Sequence, residues 1–320
     1  MNVEYVIVAD WGSSHLRAYL CQLNQQGTLT VIKSAKGTGV TKIEEQFEQH
    51  LMQVIAPWRK EFGQMPILLS GQVGSTLGWK EAPYLPCPVS LDRLATSCLT
   101  FICRGHPIYI VPGLSCEIPD KHSDVMRGEE LQVLGLLLKH EKYQQGRQLI
   151  CLPGTHTKWV LVDNGEIQFF KTAMTGELYD LLTSKSVLIQ KKTNIFDADA
   201  FKLGVDKANS SSVGSFSHNI FSVRTKQLFG ELNQGNACSY LSGLLIGSDV
   251  HAAIATEQWN ISDITEVVIV GDEHLSTCFA MALESQGVQT RVVDEAEVAI
   301  AGYSGICNSL FLKDLTQTAI

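Results

Sequence analysis

The chain has 320 residues, too many for one ordinary compact core, so two domains of similar size are expected. Its composition, 45% hydrophobic and 18% charged, is that of a globular protein. A formal net charge of −8 with no basic tract excludes a surface built to neutralise nucleic-acid phosphates, although a small anion needs only a few local donors.

In chain order, Tyr5–Ala9, Leu16–Leu23 and Thr28–Lys33 read as a β-meander, with a turn at Gln25-Gln26-Gly27. Lys42–Trp58 has helical spacing of Ile43, Phe47, Leu51, Val54 and Ile55. Pro66–Ser70 and Ile108–Val111 are short buried strands, and Glu129–His140 is a helix with Leu131, Leu134 and Leu138 on one face. A second meander follows: Leu149–Leu152, Trp159–Val162 and Ile167–Phe170, turning at Asn164-Gly165. Helices are expected over Leu178–Ile189, Ala198–Leu203, Phe216–Phe229 and Ala237–Ala255, with a serine-rich loop at Asn209–Ser217. Strand Val267–Val270, helix Leu275–Ser285, strand Thr290–Val293 and helix Val298–Leu310 complete the chain.

Nine cysteines occur without a Cys-x-x-Cys pair or a Cys/His cluster, and they read as buried free thiols of a reducing compartment. The stretch Met1–Ala9 has no basic start, and Asp10 interrupts its apolar run. Neither a signal peptide nor a membrane span is expected, which points to a cytoplasmic protein.

The two meanders resemble each other. Asp10-Trp11-Gly12-Ser13-Ser14-His15-Leu16-Arg17 opens the first, and Pro153-Gly154-Thr155-His156-Thr157-Lys158 sits at the same place in the second. Such a weak internal repeat suggests two related βββαβα domains facing each other across a cleft, against the alternative that glycine hairpins recur by chance. In the first loop, Gly12 lets backbone N–H groups approach a phosphate, and Ser13 and Ser14 add hydroxyls. Asp10 would repel a polyphosphate unless Mg²⁺ lies between them, so the pair implies that ion. The alternative is a β-turn with a capping aspartate. No Walker A pattern and no Gly-x-Gly-x-x-Gly after a strand offers another phosphate site.

Asp10-Trp11-Gly12-Ser13-Ser14-x-x-Arg17-Ala18 resembles the first phosphate motif of the actin-like ATPase superfamily. Six blocks together resemble the 2-dehydro-3-deoxygalactonokinase family. They are the Asp10 block; Ser70-Gly71-Gln72-Val73-Gly74-Ser75 with Gly78-Trp79-Lys80 and Ala82-Pro83-Tyr84-Leu85; Val125-Met126-Arg127-Gly128-Glu129-Glu130; Pro153-Gly154-Thr155-His156 with Lys158-Trp159-Val160; Met174-Thr175-Gly176-Glu177-Leu178; and Leu241-Ser242-Gly243-Leu244-Leu245-Ile246-Gly247.

The resemblance implies an α/β protein of the actin-like ATPase (ribonuclease H-like) fold. An N-terminal domain, residues 1–145, would hold the first phosphate loop and the sugar-acid site, and residues 146–320 the second loop and the adenosine site. It implies transfer of the γ-phosphoryl of ATP to the 6-hydroxyl of 2-dehydro-3-deoxy-D-galactonate in galactonate breakdown. ATP and Mg²⁺ are the expected cofactors; a small sugar acid is the partner, with no nucleic acid and no membrane, and a homo-oligomer is compatible with it. The alternatives are a kinase for another sugar or sugar acid, a nucleotide or polyphosphate hydrolase, and a non-catalytic nucleotide switch of the same fold.

Residue types fit that chemistry. Arg127 offers a planar fork for a carboxylate, or else a capping or interdomain salt bridge. Gln72, Ser75, Trp79 and Tyr84 suit a polyol, with ordinary packing as the alternative for the two aromatics. The proton of the attacking hydroxyl needs an acceptor, and Glu129, Glu130, Asp124 and then Glu177 are candidates. Either of Glu129 and Glu130 could instead complement a helix dipole. His156 and Lys158, with Gly154 and Thr155, could contact the β- or γ-phosphate; Arg17 belongs to the first motif. Near the adenosine, Gly271 stands where the superfamily has two glycines, and Asp272 and Glu273 could bond ribose or cap the helix at Leu275.

Overall fold

The computed structural model describes residues 3–117, 122–210, 216–254, 261 and 264–312, and the chain divides into two compact units. The first unit comprises residues 1–146, 162–169 and everything from Glu295 on; the second comprises 147–161 and 170–294.

In the first unit, β1 (Tyr5–Trp11), β2 (His15–Leu23) and β3 (Leu29–Thr38) form the antiparallel meander. Leu16, Ala18 and Leu20 alternate inward, and a bulge between Leu20 and Cys21 buries Cys21 as well. The expected third strand runs on to Thr38, paired with β2 as far as His15, and Trp11 donates its indole N–H to the Thr38 carbonyl at 3.0 Å. The helix expected over Lys42–Trp58 is two, α1 (Phe47–Val54) and α2 (Ala56–Phe62), after a 3-10 turn at Val40–Lys42. Pro57 lies in the first turn of α2, where its missing N–H costs nothing, and its ring prevents α1 from running through.

Next come β4 (Ile67–Ser70), β5 (Tyr84–Pro86), α3 (Leu91–Thr96), β6 (Leu99–Cys103), β7 (His106–Ile110), β8 (Gly113–Glu117), β9 (Ser123–Met126) and α4 (Glu129–Lys139). The main sheet has the order β3-β2-β1-β4-β7-β6, with β4 parallel to β1 and fully buried; β5, β8 and β9 form a separate small sheet.

In the second unit, β10 (Arg147–Leu152), β11 (Thr157–Asp163) and β12 (Glu166–Ala173) repeat the meander, though the hairpin tip groups with the first unit, where Ile167 bridges Val89. Helices α5 (Thr175–Lys185), α6 (Ala198–Asn209), α7 (Phe216–Ile220), α8 (Ser222–Leu228) and α9 (Ala237–Ile254) follow. Then come β13 (Glu266–Gly271), α10 (Glu273–Glu284) and β14 (Gln289–Asp294). The helix expected over Phe216–Phe229 is thus two short ones. The end of the expected Ala237–Ala255 helix and most of the Asn209–Ser217 loop lie outside the described residues.

The sheet order β12-β11-β10-β13-β14 matches β3-β2-β1-β4-β7, a meander followed by two parallel strands. That duplicated α/β topology is the actin-like ATPase fold.

The last helix, α11 (Glu295–Phe311), departs from the expected division at residue 145, because it belongs to the first unit. It crosses α4 with the backbones in contact: a β-carbon on Gly135 would stand 1.8 Å from the Val298 carbonyl oxygen, and one on Gly302 would stand 2.2 Å from that of Leu131. All nine cysteines are free, and among the described residues no helix is long and apolar enough to cross a membrane.

Candidate active site

The first loop owes its shape to what its carbonyls do. Gly12 N–H closes the turn on the His15 carbonyl at 3.0 Å. The carbonyls of Gly12, Ser13 and Ser14 accept from the N–H groups of Val40, Thr41 and Gly39 at 3.0, 3.1 and 3.3 Å, and the Thr41 hydroxyl also donates to Ser13 O at 2.9 Å. With the acceptors turned into the protein, the N–H groups and hydroxyls of Ser13 and Ser14 are exposed and make no hydrogen bond among the described residues. Free donors gathered at a turn are suited to an anion.

Asp10 lies next to the end of β1 beside this loop, opposite Arg17 on one side and Ser70 on the other. Burial pushes its carboxyl up to about 6; Arg17 pulls it down, and Glu295 and Glu129 push it further up. Arg17 makes its ion pair with Glu295, at 3.3 Å.

Beyond β4 the chain turns through Gly71, whose φ of +84° suits glycine and whose Cα side faces Asp10: a β-carbon there would stand 3.0 Å from Asp10 Oδ1. Gly128, just ahead of α4, comes against Gly71 in turn. Asp10, Gly71, Gly128 and the start of α4 therefore form one cluster. The two acids that begin α4 fold back on the preceding N–H groups: Glu129 Oε2 accepts from Arg127 N at 3.1 Å, and Glu130 Oε2 from Gly128 N at 2.6 Å. Glu129 is partly exposed. Glu130 is fully buried, its Oε1 has no partner, and burial together with Glu129 pushes its carboxyl up to about 8. Asp124 lies on β9 opposite Cys116, with Oδ1 accepting from Val125 N at 2.7 Å.

Arg127 is 6% exposed. Nη2 donates to Ala82 O at 2.8 Å, and the Tyr84 ring stacks 4.3 Å from the guanidinium carbon. Nε and Nη1 have no partner, and a β-carbon on Gly74 would crowd Nη1 at 2.8 Å. No carboxylate of the described residues pairs with this guanidinium, so the salt-bridge alternative has no partner here. Tyr84 supports Arg127, and Trp79 packs edge-on against Phe101 at 5.2 Å on the margin of the core. Ser75 Oγ donates to Gln72 O at 2.8 Å, holding their turn, and the Gln72 side chain is half-buried without a hydrogen bond among the described residues.

In the second unit, Gly154 and Thr155 lie against the start of α5. A β-carbon on Gly176 would stand 2.4 Å from Gly154 O, and Glu177 N–H donates to Thr155 O at 2.9 Å. Glu177 Oε2 meets His156 Nε2 at 2.5 Å. Lys158, expected in plain solvent if it has no role, is 5% exposed, and its ammonium makes no hydrogen bond or ion pair among the described residues. A largely buried lysine side chain whose ammonium has no counter-charge among the described residues, beside a glycine turn, is suited to an anion supplied by a ligand.

Next to this loop is a cavity of about 330 Å³, lined by Gly154, Thr175, Gly176 and Tyr179, by Phe196, Ser242 and Leu245, and by His274, Leu275 and Cys278. Gly271 does not line it, and instead packs behind the loop near Pro153. Asp272 caps α10, with Oδ1 accepting from Leu275 N at 3.1 Å, so the capping alternative describes it.

Three polar groups that the sequence alone does not single out, two buried and one half-buried, are held by partners distant in the chain. Ser70 Oγ and Tyr303 Oη are 2.5 Å apart in the first unit, next to Asp10 on β4 and on α11 respectively. Asp249, on α9, accepts from Trp159 and Thr175 in the second. A polar residue in a very apolar helix, as at Asp249, was the one available hint.

Residues 10–306 match the family model for 2-keto-3-deoxy-galactonokinase. A protein of Rhizobium meliloti (strain 1021) named a probable 2-dehydro-3-deoxygalactonokinase is 33% identical over 318 residues, covering 96% of this chain and 98% of that one. The 2-dehydro-3-deoxygalactonokinase of Escherichia coli (strain K12) is 31% identical over 314 residues, covering 97% and 99%. The crystal structure of a Sinorhizobium meliloti protein bearing the same name superposes with a TM-score of 0.84 at 31% identity, over 96% of this chain and 97% of that one.

Proposed function

The chain belongs to the 2-keto-3-deoxy-galactonokinase family and is a sugar-acid kinase, and from that premise we propose that it transfers the γ-phosphoryl of ATP to the 6-hydroxyl of 2-dehydro-3-deoxy-D-galactonate. The observation that carries the acid part of this reading is Arg127. Two of its donors are buried without partners, and a planar carboxylate is the ligand group that satisfies such a fork. Tyr84 holds the guanidinium in place, and Gly74 leaves Nη1 free of a side chain.

In the first unit, the N–H groups of Ser13 and Ser14 take phosphate oxygens. Among the described residues no cluster of three metal-ligating side chains occurs, which fits Mg²⁺ held by one carboxylate, the nucleotide's phosphates and water. Asp10 is that carboxylate: buried, with its charged form disfavoured, it gains from a neighbouring cation. When bound, the ion neutralises charge on the phosphates. Glu129 accepts the proton of the attacking hydroxyl, since it is the acid of the Asp10 cluster that is open to solvent, whereas Glu130 is enclosed. Arg127 and Glu129 can serve together because the guanidinium turns to Ala82 while the Glu129 carboxylate folds back on the backbone.

In the second unit, Lys158 and the loop at Gly154–His156 hold phosphate, and the neighbouring cavity takes the adenine ring. The protein is proposed to act in the cytoplasm.

The test is ATP consumption with and without acceptor. Turnover with 2-dehydro-3-deoxygalactonate, and little with neutral sugars of the same length, supports the reading. Acceptor-independent hydrolysis favours the hydrolase, and preference for a sugar lacking the carboxylate removes Arg127 from its role.

A further inference from the structure

Asp249 is an ionisable group with no part in the reaction as described. Each of its oxygens takes one hydrogen bond: Oδ1 from Trp159 Nε1 at 2.9 Å and Oδ2 from Thr175 Oγ1 at 2.6 Å. Burial pushes its carboxyl up to about 6, while the Thr175, Trp159 and Thr157 side chains pull it down. A carboxylate accepts from both donors with its charge; an amide in its place would accept from the Trp159 indole and donate its NH₂ to the Thr175 hydroxyl, which removes the charge-assisted bond.

The two donors stand on either side of the second phosphate loop. Trp159 is on the strand that leaves the loop, one residue after Lys158. Thr175 is the first residue of α5 and lines the cavity. The two residues after Thr175 are fixed directly on the loop. Gly176 lies on the backbone of Gly154 and Thr155 without room for a side chain, and Glu177 bonds Thr155 through its N–H and His156 through its carboxylate. Three consecutive residues thus carry the position of the Asp249 carboxylate to the loop and to the cavity wall.

We propose that Asp249 is a positioning residue for the phosphoryl donor: by gripping Thr175 and Trp159 it sets the spacing between the loop at Gly154–Lys158 and the start of α5, and so the affinity for the nucleotide's phosphates. The inference rests on reading that loop as a phosphate site. A purely structural carboxylate tying α9 to β11 would stabilise the unit without discriminating between nucleotide and nucleoside.

The experiment compares ADP with adenosine by calorimetric titration of the full chain, which requires no turnover. The wild type binds ADP more tightly than adenosine. Thr175→Val and Asp249→Asn reduce that preference about tenfold, the size of one lost charge-assisted bond, and Thr175→Ser restores it. In steady state the same variants raise the ATP KM, with the acceptor KM within about twofold, the scatter expected where no contact is lost. If Thr175→Val keeps the wild-type ADP preference and loses only thermal stability, the positioning role is wrong. If the wild type itself binds ADP no better than adenosine, the phosphate loop is misassigned and the proposal goes with it. Should Asp249→Asn not fold, the valine–serine pair at Thr175 decides alone.

Discussion

Asp10 and Arg17 stand directly opposite each other on β1 and β2, yet the ion pair that Arg17 makes is with Glu295. The Asp10 carboxyl is left buried and raised to about 6, so at neutral pH its charge opposes folding. Asp10→Asn should therefore cost about 10²–10³ in kcat, the effect of removing one preorganised charge at the reacting centre. Its thermal midpoint should hold or rise, because the substitution removes an unfavourable buried charge. Near-normal turnover at saturating Mg²⁺ would take Asp10 out of the mechanism.

Arg127→Lys keeps a positive charge and loses the fork. The acceptor KM should rise about 10- to 100-fold, as expected for charge-assisted hydrogen bonds worth about 1.5–3 kcal/mol, while the ATP KM stays near its wild-type value. Equal rises in both constants, or a lowered midpoint with unchanged kinetics, would assign Arg127 to packing beneath Tyr84.

Glu129→Gln and Glu130→Gln separate the two acids of α4. Loss of the proton acceptor should lower kcat by about 10²–10⁴, with ATP binding preserved. That loss is expected for Glu129→Gln, with Glu130→Gln close to wild type. The reverse result would move the role to Glu130, and two active variants would direct attention to Asp124 and Glu177.

Glu130 also carries a pH signature. Its folded-state pKa of about 8 lies above its ordinary 4.5. The stability it contributes is complete below about 4.5 and is lost as pH rises through about 8. Thermal midpoints of the wild type should fall between these values and level off above them, and Glu130→Gln should fall less steeply. Parallel curves for the two proteins would show that Glu130 titrates normally.

Much of this was legible in the chain. The meanders could be read because Leu16, Ala18 and Leu20 alternate with His15, Arg17 and Tyr19, and because Gly12 and Gly154 mark the same turn in each half. The region from Tyr84 to Met126 was much less legible: β5, β8 and β9 are strands of three to five residues whose pairing is non-local, and no window that short shows a period. In the site, Arg127 and the acids of α4 stood out as charges next to glycine. Ser70, Tyr303 and Asp249 did not, because what makes them notable is a partner far away in sequence: Ser70 and Tyr303 are 233 positions apart. Trp79 and Tyr84 look alike in the sequence, and only packing assigns one to Phe101 and the other to Arg127.

The crossing of α4 and α11, at which Gly135 and Gly302 let two backbones touch, bears on the order of synthesis. A ribosome delivers α4 long before α11, with the whole second unit made in between. Until the last helix emerges, the α4 face that carries Leu131 and Gly135 has no cover, and Ser70 lacks the Tyr303 hydroxyl. The first unit to be started is thus the last to be finished, and a fragment ending at Gly146 is an incomplete body rather than a separable domain.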